Sequence, residues 1–187
     1  VWSILFLRKI KNLKLFLYEI NHPYELNINL GLVDFFKKKI IKLLVKKIYN
    51  KADLISANCN ELSRDLTQLV KKNVVTIFNP CFFKLYPKKN TNNEFIKVLN
   101  IARFEKQKDH MTLLKAIAVS PLKNKIKLTL VGYGSQQKKI FEYIKKFNIN
   151  CKIFNNETIL SKFYLENDLF IMTSIYEGLP TVMIEAA

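Results

Sequence analysis

Glycine is scarce in this sequence, with four in 187 residues, beside five prolines, three cysteines, three methionines and one tryptophan. No internal repeat or low-complexity tract stands out, and the composition is not that of a disordered chain. The cysteines, Cys59, Cys81 and Cys151, are odd in number, far apart and in no metal-ligand spacing, which points to a reducing compartment. Also missing is any apolar run near the roughly 20 residues that a bilayer-spanning helix needs. The opening VWSILFLRKIKNLKLFLYEI is interrupted by Arg8, Lys9, Lys11 and Lys14 and reads as helix then strand, not as a signal peptide or anchor. Acidic residues are few: 15 against 31 Lys and Arg, a formal charge of +16.

What is present is a chain with 49% apolar and 25% charged residues, the balance of a globular protein with a core. Its length suits one ordinary domain or two small ones, so two complete nucleotide-binding domains do not fit. Val1 is not an initiator Met, and Ala187 falls inside a predicted helix, so both termini read as cut. The positive charge is concentrated early: residues 1–93 hold 17 basic against 6 acidic side chains, and residues 94–187 hold 14 against 9. Such a field favours anionic partners without choosing among nucleic acid, acidic lipid and phosphorylated substrates, and lysines that merely solvate helix faces are the plainer explanation.

Residues 14–20, KLFLYEI, have strand length and stop at Asn21-His22-Pro23. Residues 35–49 place Ile40, Leu44 and Ile48 at helical spacing, with Lys38, Lys39, Lys42 and Lys46 opposite, as in a basic amphipathic helix. A strand is predicted at 52–58, a helix at 61–70 and a strand at 74–80. Periodicity then lapses into a Pro, Lys and Asn-rich stretch, and the alternation restarts. Strands are predicted at 96–101, 127–131, 151–154 and 169–173; helices at 110–119, 136–147, 159–166 and from 181 onward. Alternating strands and helices predict an α/β fold with parallel sheets.

Three of the four glycines, Gly132, Gly134 and Gly178, fall at strand-to-helix junctions, where a missing Cβ lets backbone amides approach a phosphate at a helix N-terminus. VGYGSQQKK is half of a dinucleotide fingerprint without its third glycine, and a plain tight turn explains it too. Arg103 and Lys108 follow a predicted strand in a loop entering a helix, a placement suited to neutralising a diphosphate. Pro180 suits the first turn of the last helix. Glu177 in the loop before it and Glu185 about two turns in are carboxylates able to accept hydrogen bonds from vicinal sugar hydroxyls. His110 is expected on an ordinary helix surface.

The ordered set Asn100-Ile-Ala-Arg103-x4-Lys108, LTLVGYG and NDLFIMTS-x-YEGLP-x-VMIEA resembles the C-terminal domain of retaining glycosyltransferases of family 4, and ADLISANCNELSRDL with VVTIFNP resembles the end of their N-terminal domain. The resemblance implies a GT-B fold of two Rossmann-like parallel-sheet domains, both incomplete here: residues 1–85 from the N-terminal, acceptor domain, a linker at 86–95 and residues 96–187 from the donor-binding domain. It further implies that Arg103 and Lys108 hold the donor diphosphate, that Glu185 binds the donor ribose and that Glu177 lies near the transferred sugar. Gly178, Leu179 and Pro180 match the turn that meets sugar and phosphate, Gly132 and Gly134 a donor-side loop, and His22 an active-site histidine facing the donor sugar. Asn155-Asn156 stand where the family has a glycine, and Asn tolerates the same left-handed geometry.

The expected function is therefore transfer of a sugar, with retention, from a nucleoside-diphosphate sugar to a hydroxyl of a glycan or lipid-linked saccharide. No Asp-x-Asp motif is present and the basic pair replaces a metal, so no cofactor or metal is expected. Nucleic acid is not an expected partner, for no recognised binding motif accompanies the charge. Peripheral contact with an anionic membrane is, which places the protein in the cytoplasm or on the inner face of the cytoplasmic membrane. Two alternatives remain open: a basic membrane-surface binder without catalysis, and another GT-B enzyme such as a sugar-nucleotide epimerase.

Overall fold

The computed structural model of the chain describes residues 13–23, 32–80, 94–155 and 160–187, with side chains in the first helix from Phe36 onward. The helix expected before residue 13, most of the expected linker and the start of the helix expected at 159 lie outside the described residues. The chain divides into two compact units. One comprises Val1–Pro80 with Glu177–Leu179, the other Cys81–Tyr176 with Pro180–Ala187.

In the first unit, β1 (Phe16–Glu19), β2 (Leu54–Ala57) and β3 (Val75–Thr76) form a parallel sheet in that order. Helices α1 (Leu32–Tyr49) and α2 (Asn60–Val70) supply its crossovers. Side chains alternate across strands, so Ile55 and Ala57 fall on one face and are fully buried among Val45, Ile48, Leu62, Leu66 and Val70. Phe16, Leu54 and Val75 fall on the other face and are exposed. Helix α2 ends where Lys71 adopts a left-handed conformation and its N–H donates to Thr67 O.

Helix α1 corrects the expected amphipathic pattern. Ile40, Leu44 and Ile48 do not share a buried stripe: Ile40 and Leu44 are exposed, and only Ile48 is buried. The face packed into the core is Ile41, Val45, Ile48 and Tyr49. The outward face carries Phe36, Ile40 and Leu43, which are 61%, 56% and 62% exposed, at the i, i+4, i+7 spacing of a second stripe.

The second unit has a four-stranded parallel sheet in the order β6-β5-β4-β7, with β4 at Ile96–Ile101, β5 at Ile126–Val131, β6 at Cys151–Phe154 and β7 at Leu169–Phe170. Helices α3 (His110–Val119) and α4 (Gln137–Lys146) cover one face, where Leu113, Leu114, Ile117 and Ile140 bury Val98, Leu128 and Leu130. The short helices α5 (Ser161–Glu166) and α6 (Thr181–Ala186) follow β6 and β7 and cover the other face, packing Phe163, Tyr164 and Val182 on Leu99, Ile101 and Val131. The chain thus winds outward from β4 through β5 to β6, then returns to β7 on β4's far side. The strand order reverses between β4 and β5–β6 on one side and β7 on the other, and a crevice opens at the carboxyl ends of such a switch point.

Candidate functional site

The residues after β4 belong to that switch point. Phe104 is fully buried beneath the sheet's carboxyl edge, while Arg103 beside it is exposed. Phe104 fixes the neighbouring loop through its backbone: its N–H donates to Tyr133 O over 2.8 Å, and its carbonyl accepts from Gln136 N over 2.7 Å. Gly132 and Gly134 sit against this strand end with φ of +148° and +155°. A Cβ would lie 2.0 Å from Ala102 O at the first and 2.7 Å from Phe104 O at the second. Glycine is required here by close backbone packing and by conformation.

Three amides of this loop are already bonded within the protein. Gly132 N–H donates to Phe154 O, Ser135 N–H to Glu105 Oε1 and Gln136 N–H to Phe104 O. The Ser135 hydroxyl donates to Glu105 Oε2 as well, and these two bonds hold the Glu105 carboxyl below its ordinary range.

Lys108 closes a 3₁₀ turn, Lys106–Lys108, and is half-buried. The turn is tied to the segment after β7: Gln107 Nε2 donates to Tyr176 O over 2.9 Å, Ile175 N–H to Gln107 O over 2.8 Å and Thr173 Oγ1 to Asp109 O over 2.9 Å. Gln107 and Thr173 therefore set the backbone that carries Lys108. No local sequence signal marks either of them, since their partners lie more than 60 residues away. Asp109, left-handed at φ 41°, caps α3 by accepting from Thr112 N and Oγ1.

His110 is not on the helix surface, as expected, but 2% exposed, edge-on to the Phe104 ring at 4.8 Å. Neither ring nitrogen has a hydrogen-bond partner. Burial lowers its pKa from 6.5 to about 4, so the ring is neutral at pH 7.

Glu185 is the fifth residue of α6, little more than one turn in, not two. Tyr164 on α5 donates its hydroxyl to Glu185 Oε2 over 2.7 Å, and the carboxylate is half-buried. Arg103 and Lys108 after β4, and Glu185 after β7, thus follow the two strands that flank the switch point of one sheet. Pro180 is the N-cap of α6, whose first residue is Thr181.

His22, Glu177, Gly178 and Leu179 belong to the first unit. His22 follows β1 and places Nε2 3.7 Å from Asp65 Oδ2 on α2. Gly178 lies against the ends of β1 and β2, and Asn79 Nδ2 donates to Leu179 O over 3.1 Å. Among the described residues, no three His, Cys, Asp or Glu side chains are grouped to hold a metal ion, and no helix is long and apolar enough to cross a membrane.

Comparison with known proteins gives a consistent picture. The family model described as glycosyl transferases group 1 matches residues 83–187. A Campylobacter jejuni protein named N-acetylgalactosamine-N,N'-diacetylbacillosaminyl-diphospho-undecaprenol 4-alpha-N-acetylgalactosaminyltransferase is 28% identical over 161 residues, covering 81% of this chain and 43% of that protein. The amylovoran biosynthesis glycosyltransferase AmsD of Erwinia amylovora is 36% identical over 92 residues, 48% of this chain and 26% of AmsD. The chain spans less than half the length of these relatives. Among solved structures, S. aureus TarM in complex with fondaparinux, alpha-GlcNAc-glycerol and UDP superposes with a TM-score of 0.72 at 24% identity, covering 94% of this chain and 35% of TarM. The fold is the α/β parallel-sheet fold expected, and its structural neighbours are GT-B glycosyltransferases.

Proposed function

The chain belongs to the glycosyl transferases group 1 family, and from that membership we propose that the full protein transfers a sugar, with retention, from a nucleoside-diphosphate sugar to a hydroxyl of a saccharide or lipid-linked saccharide. One observation carries the assignment of the donor site. Arg103 and Lys108 after β4, and Glu185 after β7, flank the switch point at the carboxyl edge of a single sheet.

In this reading Arg103 and Lys108 hold the diphosphate. The bond from the anomeric carbon to the phosphate oxygen breaks, its electron pair passes to the diphosphate, and the two cations stabilise the charge as it develops. The acceptor oxygen bonds to the anomeric carbon, and its proton passes to the departing diphosphate oxygen that has taken up the electron pair. Glu185 accepts hydrogen bonds from the ribose hydroxyls, with Oε2 steadied by Tyr164. Glu177 and the Gly178-Leu179-Pro180 turn meet the sugar, His22 faces it, and Gly132 and Gly134 shape the loop beside Arg103, where the Gly132 amide is bonded to Phe154 O. The basic pair supplies the positive charge, so the reaction needs no metal.

A lipid-linked acceptor is supported by the name of the Campylobacter relative, which specifies a diphospho-undecaprenol substrate. Peripheral attachment at the inner face of the cytoplasmic membrane is supported by α1, whose outward apolar stripe is bordered along one side by Lys39 and Lys46. The test is to incubate the full protein with nucleotide sugars and lipid-linked saccharides and to determine the product's anomeric configuration. Retention supports the reading, inversion removes that part of it, and absence of transfer from every donor removes the whole.

A further inference from the structure

The turn Glu177–Leu179 is held by side chains that the donor-site reading does not use. Asn79, just beyond β3, donates from Nδ2 to Leu179 O over 3.1 Å. The orientation of its amide is set from behind: the Tyr18 hydroxyl on β1 lies 2.6 Å from Asn79 Oδ1 and 3.0 Å from Ile77 O. The phenol has one proton for these two acceptors; given to Oδ1 over the shorter contact, it turns the N–H side of the amide toward Leu179. The turn also rests directly on backbone. A Cβ on Gly178 would lie 2.1 Å from Ile20 O, 2.5 Å from Asn58 Oδ1 and 2.7 Å from Asn58 Nδ2. Asn58 is fully buried, and the Ile20 carbonyl is backbone, which cannot swing aside as a side chain can. All these residues belong to the first unit.

We propose that Asn79, oriented by Tyr18, is a positioning residue that fixes the Glu177–Leu179 turn, and that Asn58 and Ile20 O limit the turn's approach so that only glycine fits at 178. Asn79 touches neither donor nor acceptor in this assignment; it acts through the carbonyl of Leu179. The relation to sugar transfer rests on the functional reading above, in which Glu177 meets the transferred sugar. Misplacing a reacting group by about 1 Å costs on the order of 100-fold in rate. Loss of the clasp therefore lowers turnover and leaves the donor's main anchors, Arg103, Lys108 and Glu185, intact.

The test compares the full protein with Asn79→Asp, Asn79→Ala and Gly178→Ala by hydrogen exchange over residues 176–183 and by steady-state transfer kinetics. Asn79→Asp keeps the size of the side chain and an acceptor for Tyr18 but has no N–H for Leu179. Exchange in this peptide is expected to quicken by about two- to ten-fold in both Asn79 variants, as for loss of one net hydrogen bond. In both, kcat is expected to fall about ten- to a hundred-fold while the donor KM stays within about two-fold. Gly178→Ala, whose Cβ would meet Ile20 O, is expected to quicken exchange in the same peptide and to lower kcat. Unchanged exchange in Asn79→Asp overturns the clasp, and faster exchange with kcat intact overturns its role in positioning. If Asn79→Ala does not fold, Tyr18→Phe, which removes one hydroxyl and keeps the ring, is held to the same outcomes. If the parent transfers no sugar at all, the functional reading has failed, and the exchange measurement alone still decides the clasp.

Discussion

Tyr164 donates its phenolic hydrogen to Glu185 Oε2 over 2.7 Å, tying α5 to α6 beside the switch point of the second sheet. A carboxylate so steadied keeps Oε1 for the ribose hydroxyls. Glu185→Ala is expected to weaken donor binding by about 1–3 kcal/mol, the cost of leaving a buried hydroxyl pair without its acceptor. Tyr164→Phe should weaken it less, because the carboxylate remains and only its orientation is loosened. Titration calorimetry with the nucleoside diphosphate checks both, and equal affinity of Glu185→Ala and the parent would remove Glu185 from the site.

His110 makes a stability prediction that is independent of function. Its pKa is 6.5 when unfolded and about 4 in the fold. The folded state therefore excludes a proton that the unfolded state takes up between these values. Stability from this group is complete above pH 6.5 and is lost as pH falls toward 4, by about 3 kcal/mol in all. His110→Leu fills the same space against Phe104 with no orphaned nitrogens. It should match or exceed the parent's stability at pH 7 and gain on it progressively as pH falls from 6.5 to 4. Parallel melting curves across that range would show that the ring is hydrated or paired in solution.

The second sheet was legible in sequence almost residue by residue, because runs such as IKVLNI and IKLTLV are apolar, of strand length and separated by helices with clear periodicity. The strands that came out short are β3 and β7, each followed by only one further backbone bond to its neighbour, Ile77 N–H to Ala57 O and Ile171 N–H to Leu99 O. Each pairs over only two residues. Helix α1 carries two apolar stripes of equally good helical spacing, and only packing into a core shared with Ile55, Leu62 and Leu66 selects Ile41, Val45 and Ile48. His110 misled for a related reason: a polar residue opening a helix belongs outside unless an aromatic neighbour such as Phe104 is drawn under it. The contact of Asn79 with Leu179 spans 100 residues and leaves no local trace.

The corrected face of α1 sharpens the membrane prediction. An apolar stripe of Phe36, Ile40 and Leu43 bordered by lysines should insert as well as attract. The full protein should bind anionic vesicles more than neutral ones, and less as salt rises, since attraction between exposed charges is screened over about 8–10 Å at physiological ionic strength. Replacing Lys39, Lys46 and Lys47 with Gln should reduce binding at low salt. Ile40→Ser with Leu43→Ser should reduce the part that survives high salt. Vesicle co-sedimentation unchanged by both variants would place this face elsewhere.

Transfer should survive EDTA. A diphosphate leaving group needs about two positive charges nearby, and enzymes without cationic side chains there hold Mg²⁺ or Mn²⁺ on carboxylates. Arg103 and Lys108 are assigned that part, and Glu177 and Glu185 are assigned to hydroxyls. Loss of activity in EDTA with full rescue by Mn²⁺ would show that the basic pair is not what stabilises the leaving group.

The central claim is that Arg103 and Lys108 at the edge of the second sheet hold a nucleoside-diphosphate sugar. It is tested most directly by melting the full protein, and an Arg103→Ala, Lys108→Ala double variant, with UDP-, GDP- and ADP-sugars and their diphosphates. A ligand at 100 times its Kd stabilises the folded state that binds it by about 2.7 kcal/mol. The account predicts that at least one donor raises the parent's Tm and that the double variant, as stable as the parent without ligand, shows no shift. A parent whose Tm no nucleotide sugar moves, or a double variant that shifts as far as the parent, would contradict it.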